Sequence, residues 1–88
     1  QMPIDDAGEL EIVSDSPVYV RDIFPYFSLY NIDGIAEGIT IKDAFYELNN
    51  STLTPDFPLA ISNEPLPGKT AEITVKKGTL LLMRVFDK

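Results

Sequence analysis

Cysteine and histidine are both absent from these 88 residues. Without cysteine there is no disulfide, no thiolate metal ligand and no thiol nucleophile, so the fold must stand on its core alone. The lack of histidine removes the Ser-His-Asp and Cys-His constellations and the usual zinc arrangements. Any acid or base work would fall to carboxylates. Basic residues are scarce as well, seven against fourteen acidic for a net charge of −7. The imbalance sits in residues 1–47, which hold ten acidic and two basic side chains, whereas residues 48–88 hold four acidic and five basic. Nucleic acid is therefore not an expected partner, because phosphate backbones are met by clustered Lys and Arg. No apolar run reaches the roughly eighteen residues of a membrane span, and no membrane insertion is expected.

What the chain does contain is enough apolar material, 44% of residues, for one core. At this length it builds a single domain. Residues 1–9, with Pro3, Asp5-Asp6 and Gly8, read as a loose N-terminal arm, leaving residues 10–88 as the domain. Its organising stretch is Thr79 to Phe86. In an extended chain Leu80, Leu82 and Phe86 point one way and Leu81, Met83 and Val85 the other, so that apart from Arg84 both faces are apolar, as in the middle of a sheet. Lys76-Lys77-Gly78 ahead of it forms a tight turn that demands a glycine at positive φ.

Leu10–Val13, Val18–Phe24 and Tyr26–Ile32 read as extended segments separated by Ser14-Asp15-Ser16-Pro17 and Pro25; for Val18–Phe24 a short helix capped by Ser16 with Pro17 at its first position is the alternative, disfavoured by its poor helix formers and by Pro25. A helix is expected over Ile41–Leu48. Thr40 supplies a cap, Asp43 a variant capping box, Ile41, Ala44, Phe45 and Leu48 an apolar stripe, and Asn49-Asn50 the stop. Leu59-Ala60-Ile61 follows as a short strand, Ser62-Asn63-Glu64 as a turn, and Pro65 to Pro67 as an edge or loop. The expected class is α+β, a single small β-grasp-like domain whose mixed sheet carries one covering helix. A small all-β sandwich or barrel with one short helix is the rival.

This order of elements resembles the ubiquitin-like sulfur-carrier proteins of thiamin and molybdopterin synthesis. The pattern Gly38-Ile39-Thr40-Ile41-Lys42-Asp43-Ala44-Phe45-Tyr46-Glu47-Leu48 is similar to their entry into the helix. Leu59-Ala60-Ile61-Ser62-Asn63-Glu64-Pro65 is similar to their apolar strand and Asn-containing turn, and Lys77-Gly78-Thr79-Leu80-Leu81-Leu82 to their closing strand. Such carriers act through a C-terminal Gly-Gly, whereas the last residues here are Val85-Phe86-Asp87-Lys88. The resemblance thus implies the fold and a docking surface, and carrier activity only where a Gly-Gly tail has been lost or truncated.

No catalytic, metal or cofactor site is expected. The acidic group Asp5, Asp6, Glu9 and Glu11 lacks the ligand spacing of a calcium loop. Asn49-Asn50-Ser51-Thr52 holds two overlapping glycosylation sequons, which read here as a helix end. Tyr19, Phe24, Tyr26, Phe27 and Tyr30 are more aromatics than one strand pair buries on one face. Partner contact is expected through Tyr26, Phe27 and Tyr30 as anchors, rimmed by Asp22 and Asp33. The functional expectation is a non-catalytic module, not an enzyme, that binds another protein or another domain of its parent chain. The truncated sulfur carrier is the alternative, and a carboxylate-based enzyme stands behind both.

Overall fold

A computed structural model describes residues 2–5, 8–32, 34–54 and 61–86. Among the described residues nine strands follow one another: β1 (Met2–Asp5), β2 (Gly8–Val13), β3 (Val18–Arg21), β4 (Tyr26–Asn31), β5 (Ala36–Lys42), β6 (Leu48–Leu53), β7 (Ile61–Asn63), β8 (Thr70–Thr74) and β9 (Leu80–Val85). They form a five-stranded sheet in the order β1-β2-β9-β4-β7 and a four-stranded sheet in the order β3-β8-β5-β6. All the pairings are antiparallel. From β2 onward the chain passes repeatedly between the sheets, so most neighbours in a sheet are distant in sequence.

The architecture is therefore all-β with two antiparallel sheets, which corrects the expected α+β class, its mixed sheet and its covering helix. The rival all-β reading carried a short helix, and none is found among the described residues. The helix expected over Ile41–Leu48 is a strand end, a loop and a strand start. Ile41 and Lys42 finish β5, Asp43 turns at φ 60°, Ala44 forms an isolated bridge with Pro65, and Leu48 opens β6. The apolar spacing misleads because Ile41 and Ala44 are buried from non-helical backbone while Phe45 is 53% exposed. A positive φ at Asp43 is incompatible with a continuing right-handed helix. The β-branched run Ile39-Thr40-Ile41 suits a strand better than a helix.

At the centre of the five-stranded sheet β9 pairs with β2 on one side and β4 on the other. Side-chain alternation sends Leu80, Leu82 and Arg84 inward, and Leu81, Met83 and Val85 outward. Inward residues of both sheets join one core cluster, in which Phe27, Leu29, Leu80 and Leu82 meet Val20, Ile39, Ile41 and Ile73. Gly78 does adopt positive φ, 98°, and a Cβ there would lie 2.5 Å from the Ile35 carbonyl oxygen. The turn it serves joins β8 of one sheet to β9 of the other, so it is a corner of the sandwich rather than a hairpin tip. Glu37 holds that corner through backbone hydrogen bonds with Lys76 and Lys77.

Arg84 is a charged residue turned to the inner face. Its side chain is 7% exposed, opposite Glu9 in the β2–β9 register and Phe27 in the β4–β9 register. Nε and Nη2 donate to the carbonyl oxygen of Tyr19 at 3.2 and 2.7 Å, and Nη2 also pairs with Glu11. Nη1 lies 3.6 Å from a Glu9 carboxylate oxygen. Tyr19 belongs to β3, an edge strand of the other sheet, so this guanidinium fastens the two sheets together at one end of the sandwich.

Candidate functional site

The two outer faces differ in kind. On the four-stranded sheet, Tyr19, Glu72 and Lys42 lie in one row across β3, β8 and β5, as a solvated face requires. On the five-stranded sheet the rows run Ile12, Leu81, Tyr30 and Leu10, Met83, Ser28, with no charged side chain in either. An apolar groove of about 520 Å³ lies along Leu10, Tyr30, Ile32, Leu81 and Met83. Asn31 also lines this groove, which contrasts with the charged row on the opposite sheet.

At the β4–β7 edge of the same sheet a smaller cleft of about 240 Å³ is lined by Tyr26, Tyr46, Ser62, Asn63 and Glu64. Tyr26 and Ser62 come from the two paired strands. Tyr46 comes from the loop between β5 and β6, and Glu64 from the residue just after β7. The buried Asn63 side chain ties the two segments. Its Oδ1 accepts the backbone N–H groups of Tyr46 (3.0 Å) and Glu64 (2.9 Å), and its Nδ2 donates to the Tyr46 carbonyl (2.6 Å). Phe45 N–H donates to the Glu64 carbonyl at 2.9 Å, and Leu66 N–H to the Asp43 carbonyl at 3.1 Å. The cleft therefore offers two phenols, a hydroxyl and one carboxylate on a stiff frame, with no basic side chain among its lining residues. Such a surface suits a planar, positively charged ligand.

A third cleft, about 360 Å³, opens beside the Arg84 clasp between Arg21, Ile23, Phe24 and Phe86. The Phe24 and Phe86 rings sit 4.6 Å apart, and Arg84 lies 5.9 Å from the Phe24 centroid. The cation–π position over Phe24 is thus already held by a side chain. Glu9 and Tyr19 line it too, but Glu9 already faces Arg84 at 3.6 Å and Arg21 adds a second guanidinium, so this cleft is the poorer host for a cation.

The residues expected to form a partner site are dispersed. Phe27 is fully buried in the core. Tyr26 and Tyr30 are half-buried, the first in the β4–β7 cleft and the second in the apolar groove. Asp22 accepts a hydrogen bond from Gly68 N–H at 2.6 Å and so ties two loops, and Asp33 lies outside the described residues. Sequence reasoning passed over Tyr46, Ser62, Asn63 and Glu64. The only local signal was Ser62-Asn63-Glu64-Pro65, which reads equally well as a plain turn. Among the described residues no group of three or more Asp or Glu is placed to hold a metal ion, and no helix is long and apolar enough to cross a membrane.

The family model described as the vitamin B1 binding domain of thiamin pyrophosphokinase matches residues 9–80. The chain belongs to this family. Its fold is similar to that of thiamin pyrophosphokinase from Geobacillus thermodenitrificans, at a TM-score of 0.84 and 23% identity over 97% of this chain and 40% of that one. The Bacillus subtilis enzyme gives 0.81 and 24% over the same shares, and a thiamin pyrophosphokinase family protein from Enterococcus faecalis gives 0.73 and 16% over 93% and 38%. At these identities the likeness concerns the fold alone. A comparison with curated proteins finds no match. The chain spans about 40% of the length of the first two solved relatives. Family membership corrects the resemblance to ubiquitin-like sulfur carriers, and with it the carrier alternative and the generic protein-binding module. The expectation that the chain is not an enzyme is corrected too, since the matching family is a domain of thiamin pyrophosphokinases, of whose solved members this chain spans only part.

Proposed function

We propose that this chain binds thiamin as one domain of a thiamin pyrophosphokinase, and that the β4–β7 cleft is where the vitamin sits. The observation that carries the reading is the family match over residues 9–80, which includes every residue lining that cleft. The chemistry supports it. Thiamin joins a cationic thiazolium ring to an aminopyrimidine through a methylene, and the cleft offers the Tyr26 and Tyr46 rings with the Glu64 carboxylate beside them. A cation over an aromatic face gains about 0.5–2 kcal/mol, depending on how far the site is shielded from water. The net charge of −7 adds a long-range field that draws a cation in.

In this reading the domain recognises and orients, while the transfer of the diphosphoryl group to the vitamin's hydroxyl takes place on the rest of a longer chain. The cleft here presents recognition groups, namely phenols, a hydroxyl and a carboxylate. The apolar outer face of the five-stranded sheet, which adjoins the cleft through Tyr26 and Ser28, is the surface against which another domain of the parent chain or another protein rests.

Titration calorimetry with thiamin tests the proposal. Saturable binding is expected, weakened about tenfold by Glu64→Gln and by Tyr46→Ala, each of which removes one attraction worth roughly 1.4 kcal/mol. Binding that neither substitution changes would move the vitamin to another surface.

A further inference from the structure

We infer that Asn63 is the positioning residue of the β4–β7 cleft, fixing Tyr46 and Glu64 in the arrangement that receives the ligand; the inference rests on the thiamin reading above. Asn63 is one of the few buried polar residues, 2% exposed, and lies on β7 at the edge of the five-stranded sheet. Its backbone pairs with Phe27 of β4, which fixes it to the most buried part of the sheet. From that footing the side chain reaches the loop between β5 and β6 and meets both the N–H and the carbonyl of Tyr46. The amide does for Tyr46 what a neighbouring strand would do.

The chemistry is specific to asparagine. One oxygen with two lone pairs takes the Tyr46 and Glu64 N–H groups together, while the NH₂ serves the Tyr46 carbonyl. Since a backbone N–H only donates and a carbonyl only accepts, the amide has one orientation that satisfies all three bonds. An aspartate lacks the donor, and an apolar residue of the same size lacks both functions.

Tyr46 needs such an anchor. Its residue is 68% exposed, so packing does not hold the ring in place, and Asp43 at φ 60° starts the loop in a conformation that a non-glycine residue seldom adopts. The same amide oxygen accepts from the Tyr46 and Glu64 backbones, so it sets the main chain that carries the aromatic relative to the main chain that carries the carboxylate, beside the Phe45-to-Glu64 backbone bond. Fixing them before the ligand arrives removes an ordering cost from binding.

The test measures thiamin affinity by calorimetry and amide hydrogen exchange by NMR on the 88-residue chain and three variants. Asn63→Leu is expected to weaken thiamin binding about tenfold or more and to speed exchange of the Tyr46 and Glu64 amides about a hundredfold. Asn63→Asp keeps the acceptor and loses the donor, and is expected to fall between Asn63→Leu and the parent chain in both readouts. It serves in place of Asn63→Leu if that variant does not fold. Ile73→Val, a core change in the other sheet, lowers global stability and is expected to leave the affinity within about twofold. A positioning role is overturned if the Asn63 variants bind thiamin within twofold of the parent, or if Ile73→Val weakens binding as much as they do. Should the parent chain itself bind no thiamin, the thiamin reading fails separately. The exchange data then decide, and unchanged Tyr46 and Glu64 amides in the Asn63 variants overturn the inference.

Discussion

Replacing Arg84 by Met keeps a long apolar stem and removes the cation that faces Glu9, Glu11 and the Tyr19 carbonyl. Breaking a buried ion pair by deleting one partner costs about 3–5 kcal/mol when the other charge is left buried. Here the carboxylates are less enclosed than the guanidinium, 25% and 29% exposed against 7%, and water takes up part of their loss. The Tyr19 carbonyl, deprived of two charge-assisted donors, adds roughly 1 kcal/mol. A net loss of about 2–4 kcal/mol follows, which in a domain this small lowers Tm by roughly 10–25 °C. Urea unfolding of Arg84→Met, Glu11→Gln and the double variant measures it. The double-mutant cycle is expected to show about 1–3 kcal/mol of coupling, with little dependence on salt because the guanidinium is shielded from solvent. Removing both carboxylates together with the arginine should return much of the loss, since an apolar set in place of a buried ionic one is often neutral. An Arg84→Met variant within about 0.5 kcal/mol of the parent, with no coupling to Glu11, would refute the view that this clasp joins the sheets.

Leu82→Ala, which opens a cavity at the middle of the central strand, should cost about 2–5 kcal/mol in the same unfolding assay. Gly78→Ala combines a positive φ with a close approach to the Ile35 carbonyl, and a loss of at least about 2 kcal/mol is expected; a value near zero would mean that the corner relaxes freely. Tyr30→Ala, in the outer groove, should change stability by less than about 1 kcal/mol in the isolated chain and show its main effect where a second domain is present.

The centre of the fold could be read from the chain because β9 is, apart from Arg84, apolar on both faces, a pattern that suits an inner strand. Gly78 could be read because turn chemistry is local. The helix over Ile41–Leu48 was a misreading with a physical cause. A spacing of three and four residues puts Ile41, Ala44 and Leu48 on one side of a helix, yet a strand end, a bridge to Pro65 and a new strand turn the same residues toward the core. Periodicity counts which residues are buried and is silent on the backbone that buries them. The same degeneracy made the order of apolar strands and turns resemble a β-grasp. The cleft was harder still. Tyr46 and Asn63 lie seventeen residues apart and meet only through the amide, so neither stands out in its own surroundings. The aromatic cluster at Tyr26 to Tyr30 was plain in the sequence, but alternation along β4 sends Phe27 into the core and its neighbours outward.

The most direct test of thiamin recognition at the β4–β7 cleft is an NMR titration of the 88-residue chain with thiamin, following backbone amides. Saturable shifts concentrated at Tyr26, Tyr46, Ser62, Asn63 and Glu64, and much reduced in Glu64→Gln, are the result expected. Saturable shifts confined to the Arg84 end of the sandwich, or no saturable shifts at all, would contradict it.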